Sequence, residues 1–274
     1  MDMTLPAGLG PIDFDAVRQQ MQTAPAFPHF CIDGFLEPAF AQDVHDAFPS
    51  YAEAARLGTS FKAVNEKRKI QVTDARLFAP PIRRLHELLA SDAFVERMSY
   101  ISGIPNLVAD PLLVGGGIHE TNHGGHLDVH VDFNINEGTG LFRRLNILVY
   151  FNVGWQEADG GVLDLWDADV RRCVGRFMPL FNRAAGFATS ATSWHGVTPV
   201  TCPPDRLRRS FAAYYYTAEP PPGWDGVRQS TVFRARPDEH WKGKVAMPLE
   251  EALHTAREGW SGVKRRLRGS RLTR

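Results

Sequence analysis

The middle of the chain is a series of short β-type runs. Between residues 111 and 217, β-branched, aromatic and other apolar residues form runs separated by turn-forming segments such as NEGTG, ADGG and CPPD. Eight short strands at this spacing predict a closed or double-sheet β architecture such as a jelly roll. The runs are Leu112–Ile118, His126–Phe133, Arg143–Asn152, Val162–Trp166, Arg176–Leu180, Asn182–Thr189, His195–Val200 and Arg208–Thr217.

The regions on either side have a different pattern. Apolar residues at three- and four-residue spacing predict helices before the β region, and FPHFCIDGF predicts one short strand there. A further amphipathic helix is predicted from Leu249 to about Leu267. We therefore divide the chain into an N-terminal support region (1–110), a β core (111–217) and a C-terminal extension (218–274), expected to pack as one domain. The four N-terminal helices are predicted at Asp13–Thr23, Pro38–Phe48, Pro81–Ala90 and Asp92–Ser102.

Composition narrows the functional classes. Lysine plus arginine and aspartate plus glutamate both number 31, so no overall field favours nucleic acid or a membrane. The basic stretch Lys264–Arg274 is interpreted as a solvated tail, or as a contact for an anionic partner or second subunit. The 3 cysteines form no CxxC pair, which argues against a disulfide framework or a thiolate zinc site. With no long apolar segment, we expect a cytoplasmic protein.

The stretch HETNHGGHLDVHVDF, residues 119–133, contains four histidines and two possible metal motifs. The first is HExxH, in which His119 and His123 would hold zinc and Glu120 would act as a base. That chemistry needs a helix, because only there do residues four apart share a face. Glycines flank the motif on both sides, so a helix is disfavoured. A zinc hydrolase remains an alternative.

The second motif is a pair of His-x-Asp triples on a predicted strand. Alternation places His126, Asp128, His130 and Asp132 on one face. A histidine and a carboxylate two residues apart supply two of the three ligands of the two-histidine, one-carboxylate triad of non-haem Fe(II) oxygenases. One ion cannot take all four groups, because they span ~20 Å of strand. The third ligand would be His195. A metal-free binding module, with this face exposed, is the other alternative.

A predicted strand near the end of the core offers a receptor for a carboxylate. In RRSFAAYYYT, alternation places Arg208 and Ser210 on the same face. A guanidinium beside a hydroxyl binds a carboxylate through charge-assisted, bidentate hydrogen bonds.

These motifs, in this order, resemble the Fe(II)/2-oxoglutarate-dependent dioxygenases, specifically the prolyl-4-hydroxylase-like branch. The matching stretches are HVDFN, RRLNILVYFN, GGVLDLW, PLFNR, SWHGV and RRSFAAYYYT. The resemblance implies a mainly β fold with flanking helices, built on a double-stranded β-helix (jelly roll, cupin-like) core. It also implies that His130, Asp132 and His195 are the catalytic metal ligands, which selects the second His-x-Asp triple. The implied 2-oxoglutarate contacts are Arg208, Tyr150 and Ser210, with Asn146 as a further pocket residue.

The resemblance implies an enzyme with Fe(II), 2-oxoglutarate and O2 as cofactors and cosubstrates. It would hydroxylate an unactivated C–H bond of an amino acid, a peptide or protein residue, or a small metabolite, releasing succinate and CO2. We expect a small-molecule or peptide substrate, no nucleic acid and no membrane, and we leave a homodimer open. His119, Thr121 and His126 are predicted at the mouth of the substrate pocket. The polar segment Ser60–Leu77 is interpreted as solvated surface or a substrate lid.

Overall fold

The α-helices of the described chain lie before the β core. The computed structural model describes residues 6–110 and 112–239. All four predicted helices form, within two residues of the expected ends. A fifth, α3, was not predicted; Ser50 and Glu53 form a capping box at its start. The helices are α1 (Phe14–Thr23), α2 (Pro38–Asp46), α3 (Tyr51–Leu57), α4 (Pro80–Ala90) and α5 (Asp92–Ser102), with 3-10 turns at Ala75–Leu77 and Glu157–Asp159.

The strands form one extensively curved antiparallel sheet. They are β1 (His29–Asp33), β2 (Thr59–Lys62), β3 (Glu66–Val72), β4 (Val108–Ala109), β5 (Gly117–Val131), β6 (Phe142–Tyr150), β7 (Leu163–Trp166), β8 (Cys173–Phe177), β9 (Arg183–Ala188), β10 (His195–Val197), β11 (Arg208–Thr217) and β12 (Val232–Arg234). Along the main path the order is β1-β9-β6-β11-β5-β10-β7-β8. Consecutive strands are mostly not neighbours, and the nearly closed sheet has a jelly-roll arrangement.

Strand β5 joins the two halves of this sheet. Its first part pairs with β11, and its second part pairs with β10. The sequence predicted two separate strands here, Leu112–Ile118 and His126–Phe133, which was wrong. Gly124 has a positive φ of 73° and its N–H donates to the Val200 carbonyl, so the chain turns between the halves without losing its partners.

The segment Ser60–Leu77 is mostly a hairpin of β2 and β3. Strand β3 pairs with β5, placing Lys69 opposite Thr121 and Gln71 opposite His119. Most residues of the segment are exposed or half-buried, as expected of surface, but the sequence did not predict that they form ordered strands. Ile70 and Val72 of β3 are buried and anchor the hairpin.

The main core lies between the helices and the outer face of one half of the sheet. Its buried side chains come from α1, α2, α4 and α5 and from β5, β6 and β11. Tyr215 on β11, for example, donates its hydroxyl to the Leu89 carbonyl of α4. The sheet also takes β1–β4 from the predicted N-terminal region and β12 from the C-terminal extension, so one sheet draws strands from all three predicted regions.

Some predictions fall on residues that the structure does not describe. The helix from Leu249 to about Leu267 and the basic stretch Lys264–Arg274 lie outside the described residues. Within residues 6–110 and 112–239, no helix combines the length and apolarity needed to cross a membrane.

Candidate metal centre and cosubstrate pocket

His130, Asp132 and His195 come together inside the sheet. His130 is near the end of β5, Asp132 follows that strand, and His195 begins β10 directly opposite His130. The Nε2 atoms of both histidines lie 3.6 Å from the Asp132 carboxylate, and one ligand atom from each residue lies within 4.8 Å of the others. Within residues 6–110 and 112–239 this is the only such group of three or more potential ligands. Such a set suits a divalent transition metal.

Hydrogen bonds orient both imidazoles toward the cluster. Nδ1 of His130 lies 2.9 Å from the Asp128 carbonyl, and Nδ1 of His195 lies 2.9 Å from the Ser193 carbonyl. Because a carbonyl only accepts, each Nδ1 carries the proton, and each Nε2 is left with a lone pair for a metal. Burial and the neighbouring His130 lower the pKa of His195 to about 3. His195 is therefore neutral at pH 7, as a metal ligand must be.

The Asp132 carboxylate is held as an anion. Burial alone would raise its pKa, but Arg143 at 3.3 Å and the two histidines together bring the pKa well below its ordinary value. Asn146 donates from Nδ2 to Asp132 Oδ2 at 2.8 Å. Asn146, predicted as a cosubstrate-pocket residue, thus contacts the carboxylate of the metal cluster. It also lines the cavity beside that cluster.

The residues of the HExxH motif point to different places. They lie within strand β5, so the helix that a zinc peptidase needs is absent from this stretch. His119 bonds through Nε2 to the Gly115 carbonyl, and His123 through Nδ1 to the Cys202 carbonyl. Glu120 is buried on the other side of the sheet, 3.4 Å from Arg209 Nε. Within the part of the chain that the structure describes, the three HExxH side chains therefore form no zinc site.

A second polar group lies on the neighbouring strands. Ser210 on β11 is paired with Tyr150 on β6, and the Arg208 guanidinium lies 5.1 Å from the Tyr150 ring centre. All three side chains are buried. Among the described residues, Arg208 Nη2, Tyr150 Oη and Ser210 Oγ have no hydrogen-bond partner. Buried donors left without an acceptor are costly, so this group suits an incoming carboxylate.

The electrostatics of this group support the same conclusion. Burial lowers the pKa of Arg208, and Arg208 forms no ion pair with another described residue. Burial raises the pKa of Tyr150 to about 12, so its hydroxyl stays protonated and can donate. The group of Arg208, Tyr150 and Ser210 therefore presents one cation and two neutral hydroxyl donors.

An inner cavity of about 60 Å³ is lined by the metal cluster and by Arg208, whereas Tyr150 and Ser210 are not among its lining residues. All three residues predicted at the pocket mouth line it: His119, Thr121 and His126. Asp128 of the first His-x-Asp triple is fully buried but is not among the lining residues. The register of β5 against β10 shifts between residues 127 and 130. This shift breaks the strict alternation that was expected for the residues of the two His-x-Asp triples.

Two charged residues of this cavity were not identified from the sequence. Arg143 on β6 contacts Asp132, and Lys69 on β3 pairs with Glu66 at 2.8 Å. Lys69 lies in the segment expected to be surface. Arg143 was obscured by a bulge, since β6 shifts register between Leu145 and Arg143 against β11. Strict alternation from Tyr150 would have placed Arg144 inside instead.

A jelly-roll core with a buried two-histidine, one-carboxylate cluster defines the class of non-haem iron oxygenases. Residues 116–216 match the family model described as the 2OG-Fe(II) oxygenase superfamily. Over this core the chain is similar to the superfamily, and it is a 2-oxoglutarate/Fe(II)-dependent dioxygenase, with Fe(II), 2-oxoglutarate and O2 as its cofactors and cosubstrates. No curated protein sequence matches it.

Solved structures share the fold at low sequence identity. A prolyl hydroxylase from Trichoplax adhaerens, in complex with a hypoxia inducible factor peptide, is 18% identical with a TM-score of 0.54, over 74% of this chain and 88% of that one. The non-heme alpha ketoglutarate dependent epimerase SnoN from nogalamycin biosynthesis is 12% identical with a TM-score of 0.50, over 77% and 87%. These likenesses confirm the predicted double-stranded β-helix.

Proposed function

We propose that this enzyme hydroxylates an unactivated C–H bond of its substrate and converts 2-oxoglutarate to succinate and CO2. The observation that carries the proposal is that the His130–Asp132–His195 cluster and Arg208 line one cavity, and that Arg208 and its neighbours Tyr150 and Ser210 hold buried polar atoms without a partner among the described residues. The first group fits a divalent metal, and the second fits the distal carboxylate of a bound 2-oxo acid.

In this proposal the protein binds, orients and shields the reacting groups. His130, Asp132 and His195 hold Fe(II), and Arg208, Tyr150 and Ser210 hold the distal carboxylate of 2-oxoglutarate. Fe(II) and 2-oxoglutarate, when bound, would supply with O2 the oxidative decarboxylation in which one oxygen atom of O2 enters succinate and the other enters the C–H bond. The hydrogen bonds of the two imidazoles and of Asn146 fix the ligand geometry before the metal binds, which reduces the ordering that binding requires.

Apolar walls protect the reaction from water. Leu148, Leu163 and Phe187 line the inner cavity, and Phe187 lies 4.4 Å from His195, centre to centre. Excluding water strengthens the electrostatic contacts inside and limits side reactions.

The test is Fe(II)-dependent turnover of 2-oxoglutarate to succinate by the purified enzyme, with a screen of amino acids, peptides and small metabolites. We expect succinate formation that depends on Fe(II) and rises with a substrate, and a product heavier by one oxygen atom. Arg208→Met is expected to abolish saturation by 2-oxoglutarate. A wild-type protein that binds 2-oxoglutarate no more tightly with Fe(II) than without it would contradict the proposal.

A further inference from the structure

Arg143 is a buried cation beside the metal cluster, where its Nη2 lies 3.3 Å from the Asp132 carboxylate. Its guanidinium lies 3.6 Å from the Tyr214 ring centre and 4.8 Å from that of Phe133. Its Nε donates to Asn146 Oδ1 at 2.9 Å. Two aromatic faces, a hydrogen bond and the ion pair therefore hold the guanidinium in one orientation at the edge of the cluster.

Arg143 lies where the inner cavity meets an outer one. The outer cavity has a volume of about 300 Å³, within the range of small-molecule sites. Asp132 and Arg143 are the two residues that line both cavities. The Arg143 guanidinium is therefore next to the metal cluster and also borders the outer cavity.

The walls of the outer cavity are largely apolar. Phe142 and Trp224 pack edge to face, with ring centres 4.8 Å apart, and Pro221 and Pro222 extend the same surface. The segment that carries Trp224 is tied to the end of β5, because Gln229 donates to the Asp132 carbonyl and Asn134 to the Val227 carbonyl. The cavity thus offers an apolar wall near the Arg143 guanidinium, and Asp132 and Asp225 are the acidic residues of its lining.

Loading the site changes the partners of Arg143. In the folded chain Asp132 offsets Arg143 at 3.3 Å. In the loaded site Asp132 would also bind Fe(II), Arg208 would pair with the distal carboxylate of 2-oxoglutarate, and Lys69 already pairs with Glu66. Arg143 would then share its closest carboxylate with the metal, and the buried Asp110 is the other acid that acts on it. A ligand carboxylate would strengthen this charge compensation.

We propose that Arg143 binds a carboxylate of the primary substrate, which makes the substrate a small carboxylic acid with an apolar body, oxidised near its carboxylate. This inference rests on the proposed function. The carboxylate could belong to a free amino acid or to the C-terminus of a peptide. A bidentate guanidinium contact fits either, and the apolar wall of Phe142 and Trp224 would receive the rest of the molecule.

The test compares acids with their amides. Fe(II)- and 2-oxoglutarate-loaded protein is titrated calorimetrically, without O2, with L-proline, L-leucine, L-phenylalanine and 3-phenylpropionate, and with the primary amide of each. The N-acetyl amino acids represent a peptide C-terminus. We expect at least one acid, free or acetylated, to bind at least about 10-fold more tightly than its amide, as a charge-assisted hydrogen bond provides.

Variants then assign the preference to Arg143. In Arg143→Met we expect the affinity for the acid to fall about 10-fold or more and the affinity for the amide to stay unchanged, so that the preference is lost. Arg143→Lys should retain part of it. Arg144→Met is the matched control, since Arg144 contacts Thr217 and does not line either cavity, and it should behave as wild type. Thermal unfolding of each variant checks folding.

The outcomes separate the two proposals. If the wild-type protein binds no acid at concentrations up to 10 mM, or binds every acid and its amide equally, the substrate-class inference is overturned. This outcome does not depend on whether Arg143→Met folds. If Arg143→Met folds and keeps the preference, Arg143 is not the receptor. If wild-type protein does not bind 2-oxoglutarate in an Fe(II)-dependent way, the proposed function fails, and this inference with it.

Discussion

Strand β5 and the residue after it carry two sets of histidines and carboxylates, of which only the second forms a cluster. In its first part, His119, Glu120 and His123 separate, because adjacent residues face opposite sides of a strand and the two histidines bond to different carbonyls. Near its end, His130 and Asp132 share a side and meet His195 from β10. Motif letters alone do not make a site. The backbone on which they lie, and the residue that the topology brings opposite, decide it.

The strongest way to break this comparison is to remove one histidine from each set. His130→Ala should weaken Fe(II) binding by more than about 100-fold. Loss of a residue that only orients a metal ligand costs about 10- to 100-fold in affinity, and loss of the ligand itself should cost more. His123→Ala should leave Fe(II) binding at the wild-type level. Anaerobic Fe(II) titration with metal analysis checks both. Equal iron affinity in the two variants would show that the cluster is not the metal site.

Adjacent arginines on β11 sharpen the comparison for the cosubstrate. Arg208→Met should weaken 2-oxoglutarate binding by about 1000-fold, or about 4 kcal/mol, because it leaves a buried carboxylate without its charge partner. Arg209 faces Glu120 on the other side of the sheet, so Arg209→Met should change this affinity by less than about 3-fold. Calorimetry on the Fe(II)-loaded protein measures both. Similar losses in the two variants would contradict the assigned faces.

Glu120, the acidic residue of the HExxH set, should affect the pH dependence of the unfolding free energy rather than catalysis. Burial raises its pKa from 4.5 to about 7, although Arg209 opposes this. The unfolded chain therefore releases this proton near pH 4.5 and the folded protein near pH 7. Between these values the folded state binds more protons, so its stability falls as the pH rises, by at most about 3 kcal/mol for this group.

Replacing Glu120 tests this sign. Glu120→Gln should remove that part of the decline in unfolding free energy between pH 5 and pH 8, measured by urea unfolding. Glu96→Gln, at an exposed position of α5, is the control and should follow the wild-type profile. A Glu120→Gln profile as steep as that of the wild type would show that Glu120 titrates normally.

The contrast also explains which parts could be predicted from the sequence. Strand alternation and turn residues were sufficient for the β architecture, and helical spacing for α1, α2, α4 and α5. Alternation failed at two register shifts, beside Leu127 on β5 and beside Leu145 on β6. The second concealed Arg143, since a one-residue slip exchanges the faces of neighbouring side chains. A bulge depends on the partner strand, so the local sequence gives no direct signal for it.

Strand β3 was missed for a different reason. Its residues Glu66–Lys69 are charged and typical of exposed surface, yet Glu66 and Lys69 neutralise each other while packed against β5. An ion pair between residues three apart, on a strand with register shifts against both of its neighbours, lets charged side chains enter a partly buried position. Composition alone cannot distinguish that from a solvated face.

The smallest expected effects distinguish two tyrosines on opposite sides of the sheet. Tyr150 has a buried hydroxyl without a partner among the described residues, whereas Tyr215 donates to Leu89. Tyr150→Phe should weaken 2-oxoglutarate binding about 10-fold, the contribution of one hydrogen bond to a charged group, without loss of stability in the absence of ligand. Tyr215→Phe should do the reverse, costing about 1 kcal/mol of stability while leaving the affinity unchanged. Calorimetry and urea unfolding on both variants measure this crossed pattern. If Tyr150→Phe instead lowers the stability of the ligand-free protein and leaves 2-oxoglutarate binding intact, its hydroxyl belongs to the core and the carboxylate receptor must be built without it.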